Sequence, residues 1–264
     1  MIEIHELTKR YGDKTALNQL TLTIASGQIF GLLGHNGAGK STTIKNLVSI
    51  IKPTSGTVTV DGLDLEQQRQ AVKEKISYVP DTPDIFLQLS AMESWDLLAA
   101  AYQQSEEAVQ QRRQQLVSLF DMTEHVDEPM ASYSHGMRQK AILIGALLPD
   151  PDIWILDEPL QGLDPQAAFD LKNLMKAHAA KGKTVIFSTH NLDTAQQLCD
   201  RLAILKQGQL IYTGSVEQLL AQHPQQSLEA IYLQMAGRLT DDPLVDAREG
   251  EHDAYKSVAC FVGR

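Results

Sequence analysis

Hydrophobic and polar positions along this chain change period several times, and each change marks an element. Ile2-Glu3-Ile4 and the run LTLTI at 20–24 alternate, as half-buried strands do. GQIFGLLG at 27–34 is apolar almost throughout and ends in glycine, which predicts a buried strand entering a turn. From Ser41 the period is helical (STTIKNLVSII) until Pro53 and Gly56 stop it. TVTVDG at 57–62 and KISYVP at 75–80 are short strands. Between Pro83 and about Pro149 only helical pattern occurs: MESWDLLAAAY, then EEAVQQRRQQLVSLF with Val109, Leu116, Leu119 and Phe120 on one face, then the run after Ser134.

Strands return at 152–159 (DIWILDEP), 183–190 (KTVIFSTH) and 201–214 (RLAILKQGQLIYTG), separated by helical stretches QAAFDLKNLMKAHAA and LDTAQQLCD. Alternating strand and helix implies a parallel sheet, so the expected fold is α/β with a helical block inserted at about 84–150. The segment 237–250 is polar, acidic and aperiodic and reads as a linker. The stretch 254–264 (AYKSVACFVGR) has the pattern of a short strand. Glutamine-rich runs (QQRQ, QQRRQQ, HPQQ) read as solvated helix surface.

Composition narrows the classes. The chain has 264 residues, 43% of them hydrophobic and 21% charged, an ordinary globular balance. A membrane-spanning helix needs about 20 consecutive apolar residues, and AILIGALL at 141–148 falls well short. The opening MIEIHELTKRYGDK lacks the basic and apolar regions of a secretory signal, so export of the chain is not expected. Only Cys199 and Cys260 are present, with no CxxC pair, which fits a reducing cytosol. The formal net charge of -10 gives no broad footprint for nucleic acid, and none is expected as a partner.

One motif gives the chemistry. GHNGAGKS at 34–41 matches GxxxxGK[ST], and the strand before it and helix after it are the context the motif requires. Gly34, His35, Asn36, Gly37, Ala38 and Gly39 would wrap the backbone round a phosphate chain with N–H groups pointing inward. Lys40 would meet the outer phosphates, the Ser41 hydroxyl would ligate Mg²⁺, and Thr42 follows at the helix start.

IWILDEP then delivers two carboxylates at the C-terminal end of a buried strand, the edge where open α/β sheets bind ligands. Asp157 suits Mg²⁺, and Glu158 is placed to polarise an attacking water. FSTHN at 187–191 repeats the design with His190, for which a structural role and contact with a γ-phosphate both fit.

The order GHNGAGKS, YSHGMRQK, IWILDEP, QGLDP, FSTHN resembles the ATP-binding subunit of an ABC transporter over about residues 1–235. The resemblance implies a P-loop NTPase (RecA-like) core, a small N-terminal antiparallel β-subdomain and the helical subdomain, within an ATP-binding domain at 1–236. It implies ATP hydrolysis with Mg²⁺, Tyr11 stacking on adenine, Glu158 as catalytic base and His190 as switch histidine. Two such domains, identical or different, would close head to tail, with Ser134, His135, Gly136 and Asp164 of each reaching the other's nucleotide. The partner would be a transmembrane permease that holds the chain on the cytoplasmic face.

Two departures accompany it. The signature usually reads Leu-Ser-Gly-Gly-Gln and here reads Tyr133-Ser134-His135-Gly136-Met137, which keeps the serine N-cap and the helix start that attract anionic phosphate. Asp81 stands where the family usually has a glutamine that touches Mg²⁺, and a carboxylate ligates that ion as well. Both departures resemble subunits serving ABC-2 type permeases, often exporters. Phe86, Leu87 and Trp95, in the segment after Asp81, would either meet the permease's coupling helix or belong to the subdomain core.

Two other classes fit the sequence less well. A soluble ABC ATPase acting on ribosomes or DNA generally carries two fused ATP domains, long coiled-coil inserts or basic extensions. This chain shows one P-loop and net negative charge. A GTPase would need an NKxD element, and none is present.

Overall fold

The computed structural model describes residues 1–102, 104–235 and 237. An antiparallel sheet holds β1 (Ile2–Tyr11), β2 (Lys14–Ile24), β4 (Ser55–Val60) and β5 (Leu63–Asp64) in the order β2-β1-β4-β5. A second sheet holds β3 (Ile29–Leu33), β6 (Ile76–Val79), β7 (Ile153–Asp157), β8 (Thr184–Thr189), β9 (Arg201–Lys206) and β10 (Gln209–Ser215). Its order is β10-β9-β3-β8-β7-β6, and every neighbouring pair is parallel except β9 with β10.

The nine α-helices of the described residues are α1 (Lys40–Leu47), α2 (Arg69–Glu74), α3 (Ala91–Ala101), α4 (Glu106–Leu119), α5 (His135–Leu147), α6 (Pro165–Ala180), α7 (Leu192–Leu198), α8 (Val216–Gln222) and α9 (Leu228–Met235). None is long and apolar enough to cross a membrane. The expected strand at 254–264 and nearly all of the expected linker lie outside the described residues.

The near-continuous apolar runs of β3, β7, β8 and β9 arise because both faces of their sheet are covered. Along β7, Trp154 and Leu156 face the core shared with the helices, while Ile153 and Ile155 face the core shared with the antiparallel sheet. β3 divides in the same way, with Ile29 and Leu33 on one side and Phe30 and Leu32 on the other. Such a sheet is rigid, and its C-terminal edge is a fixed platform for the residues that follow each strand.

Helices α3, α4 and α5 lie between β6 and β7. α3 opens on a capping box: Ser90 Oγ accepts from Glu93 N at 3.1 Å, and Glu93 Oε2 accepts from Ser90 N at 2.8 Å. Trp95, a candidate for an exposed contact, is instead fully buried, and its Nε1 donates to Ala141 O of α5 at 2.8 Å. Within α4, Val109, Leu116 and Phe120 are buried as the pattern predicts, but Leu119 is 39% exposed and Val117 takes its place against the core. α5 contacts α4, and Val117 belongs to the core cluster that the two helices share.

At the opposite end of β7 from the motif residues, Asp150 ties three elements together. Its carboxylate accepts from Arg112 of α4 at 3.0 Å and pairs with Lys183, which precedes β8, at 3.3 Å. His178 of α6 stands 3.4 Å from it and stacks on Trp154 at 3.7 Å. Burial raises the Asp150 carboxyl, but His178, Arg112 and Lys183 together outweigh that and hold it at about 2, below the usual carboxylate range.

A depressed folded-state pKa contributes stability that is complete above the unfolded value and is lost as pH falls through the folded one. Asp150→Asn should therefore cost about 1 to 2 kcal/mol at neutral pH, after allowance for solvent screening of a partly exposed group, and flatten the acid limb between pH 4 and 2. Urea unfolding across that range measures it, and an unchanged acid limb would count against the assignment.

Candidate functional site

The three segments carrying the motifs leave the sheet at one edge. β3 runs into the loop 34–39, β7 into Asp157 and Glu158, and β8 into Thr189 and His190. Adjacent placement follows from the pairing of β8 with both β3 and β7, with Asp157 opposite Ser188.

The loop 34–39 is folded by glycine. Gly39, the N-cap of α1, has φ 111, and a side chain there would meet Leu17 Cδ2 at 2.9 Å. No side chain caps α1, so its first N–H groups stay directed toward a ligand. Lys40 is buried, and its Nζ donates to Gly34 O at 2.6 Å, closing the loop on itself. The same ammonium lies 3.6 Å from Glu158 Oε1.

Asp157 has no exposure, and Ser188 Oγ donates to its Oδ1 at 2.5 Å. Its Oδ2 is buried with no hydrogen-bond partner. Burial raises the Asp157 carboxyl, the hydroxyls of Ser188 and Ser41 lower it, and the charges of Asp81 and Glu158 add to the rise. Glu158 follows in a left-handed conformation, φ 48. Its N–H donates to Ser188 Oγ at 3.0 Å, and its Oε2 lies 3.1 Å from His190 Nδ1. One serine hydroxyl thus fixes both acids.

These groups border a cleft of about 1030 Å³. Tyr11, His35, Asn36, Gly37, Gly39, Lys40, Ser41, Thr42, Asp81 and Glu158 line it, as do Lys14, Thr15, Ala16, Thr82, Gln161 and Gln207. Tyr11 is 49% exposed, with Lys9 Nζ 5.1 Å from its ring centroid. Gly34 and Ala38 shape the loop from beneath without lining the cleft. Asp157 lies below the surface, and His190 reaches the site only through Glu158.

Ser134, His135, Gly136 and Asp164 are elsewhere: none lines the cleft. Ser134 caps α5, its Oγ accepting from Met137 N at 3.3 Å. Asp164 caps α6 through Ala167 N at 2.9 Å and pairs with Lys140 of α5 at 2.7 Å. The Ala167 N–H and then the Lys140 ammonium hold its carboxyl below the usual range. α5 is docked on the loop after β7 at two further points. Gln139 Nε2 donates to Pro159 O at 3.3 Å, and a side chain at Gly136 would meet Gly162 O at 2.7 Å.

Ser188 and Gln161 are site residues to which the motifs that contain them, FSTHN and QGLDP, assign no role. Ser188 carries a signal all the same, since a polar residue in the buried run VIFST needs a partner. Gln161 has none beyond being the first residue of QGLDP.

The family model for the ABC transporter matches residues 17–161. EcsA of Bacillus subtilis, an ABC-type transporter ATP-binding protein, is 33% identical over 237 residues, covering 89% of this chain and 96% of that protein. Nod factor export ATP-binding protein I of Burkholderia lata is 30% identical over 261 residues, covering 99% and 86%. A solved ATP binding subunit of an ABC transporter superposes with TM-score 0.84 at 32% identity, covering 89% of this chain and 99% of that one. With its P-loop, paired acids and His190 gathered at one sheet edge, the chain belongs to the ABC transporter family, as a nucleotide-binding ATPase subunit.

Proposed function

We propose that the cleft holds ATP with Mg²⁺, and that Glu158 takes the proton of the attacking water while His190 orients it. The observation that carries this reading is the chain of contacts Lys40–Glu158–His190, 3.6 and 3.1 Å, beside a loop folded to receive phosphates. Lys40 is shared between Gly34 O and Glu158, so turning the ammonium toward a phosphate frees the carboxylate to accept a proton. Phosphoryl transfer depends mainly on such positioning and charge stabilisation.

Ser41, Asp157 and Asp81 would hold the ion, which when bound neutralises charge on the phosphates. The unpartnered Oδ2 of Asp157, among oxygen donors only, fits a hard divalent cation. No group of three or more His, Cys, Asp or Glu among the described residues is arranged to hold a metal. That fits an ion carried in by the nucleotide.

Two chains, identical or similar, close head to tail. Ser134, His135, Gly136 and Asp164 of one then complete the cleft of the other, a reading supported by their lying outside their own. Closure drives a separate permease of the ABC-2 type, with export as the direction, from the cytoplasmic face. The signature and Asp81 departures support that class, as does the export role named for the Burkholderia relative. Phosphate release from ATP by wild type and Glu158→Gln tests the chemistry.

The permease contact falls on Phe86 and Leu87. Phe86 is 41% exposed and Ile85 beside it equally so, in the segment between Asp81 and α3. Alanine at both positions should lower recovery of the permease by about 10-fold or more, through the reduced apolar area, with ATP affinity retained. Undiminished co-purification would move the contact elsewhere.

A further inference from the structure

Residues 35–37 are a partition between two clefts. On one side is the nucleotide cleft; on the other, a cleft of about 320 Å³ is lined by His35, Asn36 and Gly37 again, with Ala38, Ile211 and Tyr232 among its other walls. A side chain at Gly37 would meet nothing within 4 Å. Asn36 and Gly37 are exposed, so among the described residues the packing of this stretch is concentrated at His35. Its ends are fixed: Lys40 holds Gly34, and Ala38 O accepts from Gly208 N at 2.9 Å.

Between those ends stands Tyr232. Its ring meets that of His35 edge to face, 5.1 Å between centroids at 65°. Tyr232 is 5% exposed, and its neighbours Leu228 and Ile231 on α9 are buried in the helical-side core. A side chain anchored in the core thus touches the loop at His35, next to the exposed Asn36 and Gly37.

We infer that Tyr232 is a positioning residue for nucleotide binding, acting through His35 to hold the 35–37 backbone with its N–H groups aimed at phosphate. Anion sites built from backbone N–H groups owe their strength to being preorganised. A partition with a cleft on each face loses that order unless something backs it. The proposal rests on the P-loop reading, and it links ATP affinity to the seating of α9, none of whose residues lines the nucleotide cleft.

ATP affinity of the full chain, measured by calorimetry, tests it. Tyr232→Leu keeps an apolar side chain and removes the ring; it should raise the ATP Kd about 3- to 10-fold, the range of an edge-to-face aromatic pair. Tyr232→Phe keeps the ring and should lose less affinity than Tyr232→Leu. In steady-state assays the Leu variant should raise KM and leave kcat unchanged, as loss of uniform binding does. On a His35→Ala background Tyr232→Leu should add no further loss.

Wild-type affinity in Tyr232→Leu, or an equal loss with and without His35, would overturn the proposal. So would a lowered Tm with affinity intact, which marks a structural role alone. Tyr232→Met takes the place of the Leu variant if that one does not fold. Lys40→Ala separates the two readings: undiminished ATP binding there removes the P-loop reading and the proposal with it, whereas lost binding there beside an unaffected Tyr232→Leu removes the proposal only.

Discussion

Glu158→Gln is expected to lower the steady-state rate of ATP hydrolysis by about 10²- to 10⁴-fold, the usual cost of removing a general base. Glutamine preserves the size of the side chain and tolerates the same left-handed backbone, φ 48, about as well as glutamate. The backbone N–H that donates to Ser188 is untouched, so Asp157 keeps its hydroxyl partner. What disappears is the proton acceptor and the charge 3.6 Å from Lys40. ATP binding should therefore persist and ATP-bound dimers collect. Phosphate release and size-exclusion chromatography with ATP measure the two effects. Hydrolysis at the wild-type rate would remove Glu158 from the mechanism.

Ser134→Trp should separate binding from turnover in a different way. Ser134 lies outside the cleft of its own chain. ATP affinity of the isolated chain should therefore stay within about twofold, because the substitution leaves every wall of that cleft in place. Hydrolysis should fall about 10²-fold or more, the cost of losing a phosphate-directed donor at the reacting centre. The substitution also removes the α5 cap, which costs about 0.5 to 2 kcal/mol of stability. Ser134→Ala loses the cap and the hydroxyl without the bulk, so the difference between the two variants reads the steric block to closure. Equal falls in binding and turnover would return Ser134 to its own cleft and end the two-chain account.

Much of the architecture was legible because the central strands are buried on both faces and the antiparallel ones on one. The apolar runs of β3, β7, β8 and β9 and the alternation of β4 identified themselves. β1 and β2 run further than their patterns predict because positive φ at Glu6 and Gln19 and shifts in register break the alternation. In α4 the pattern left a choice: about 80° to either side of the line through Val109, Leu116 and Phe120 lie Val117 and Leu119. Periodicity weighs these two equally, and only the tertiary packing decides, burying Val117 and exposing Leu119.

Trp95 shows the same limit. Apolar residues among turn formers look exposed until the capping box at Ser90 is used to place them on a helix, and its partner Ala141 is remote in sequence. The P-loop and the paired acids were legible because their spacing is local. Ser188 and Tyr232 were not, since their partners, Asp157 and His35, are reached only through the fold.

The docking of α5 on the loop after β7 has a mechanical consequence. Gln139, Lys140 and Gly136 bind α5 to the segment that begins with Glu158. In the proposed head-to-tail pair that helix would serve the neighbour's nucleotide and the segment its own. The two clefts would then be geared together: a shift that seats Ser134 on one ATP would carry strain to Glu158 beside the other. Hydrolysis should accordingly depend on ATP more steeply than one independent site allows, with the gear teeth at Lys140 and Asp164.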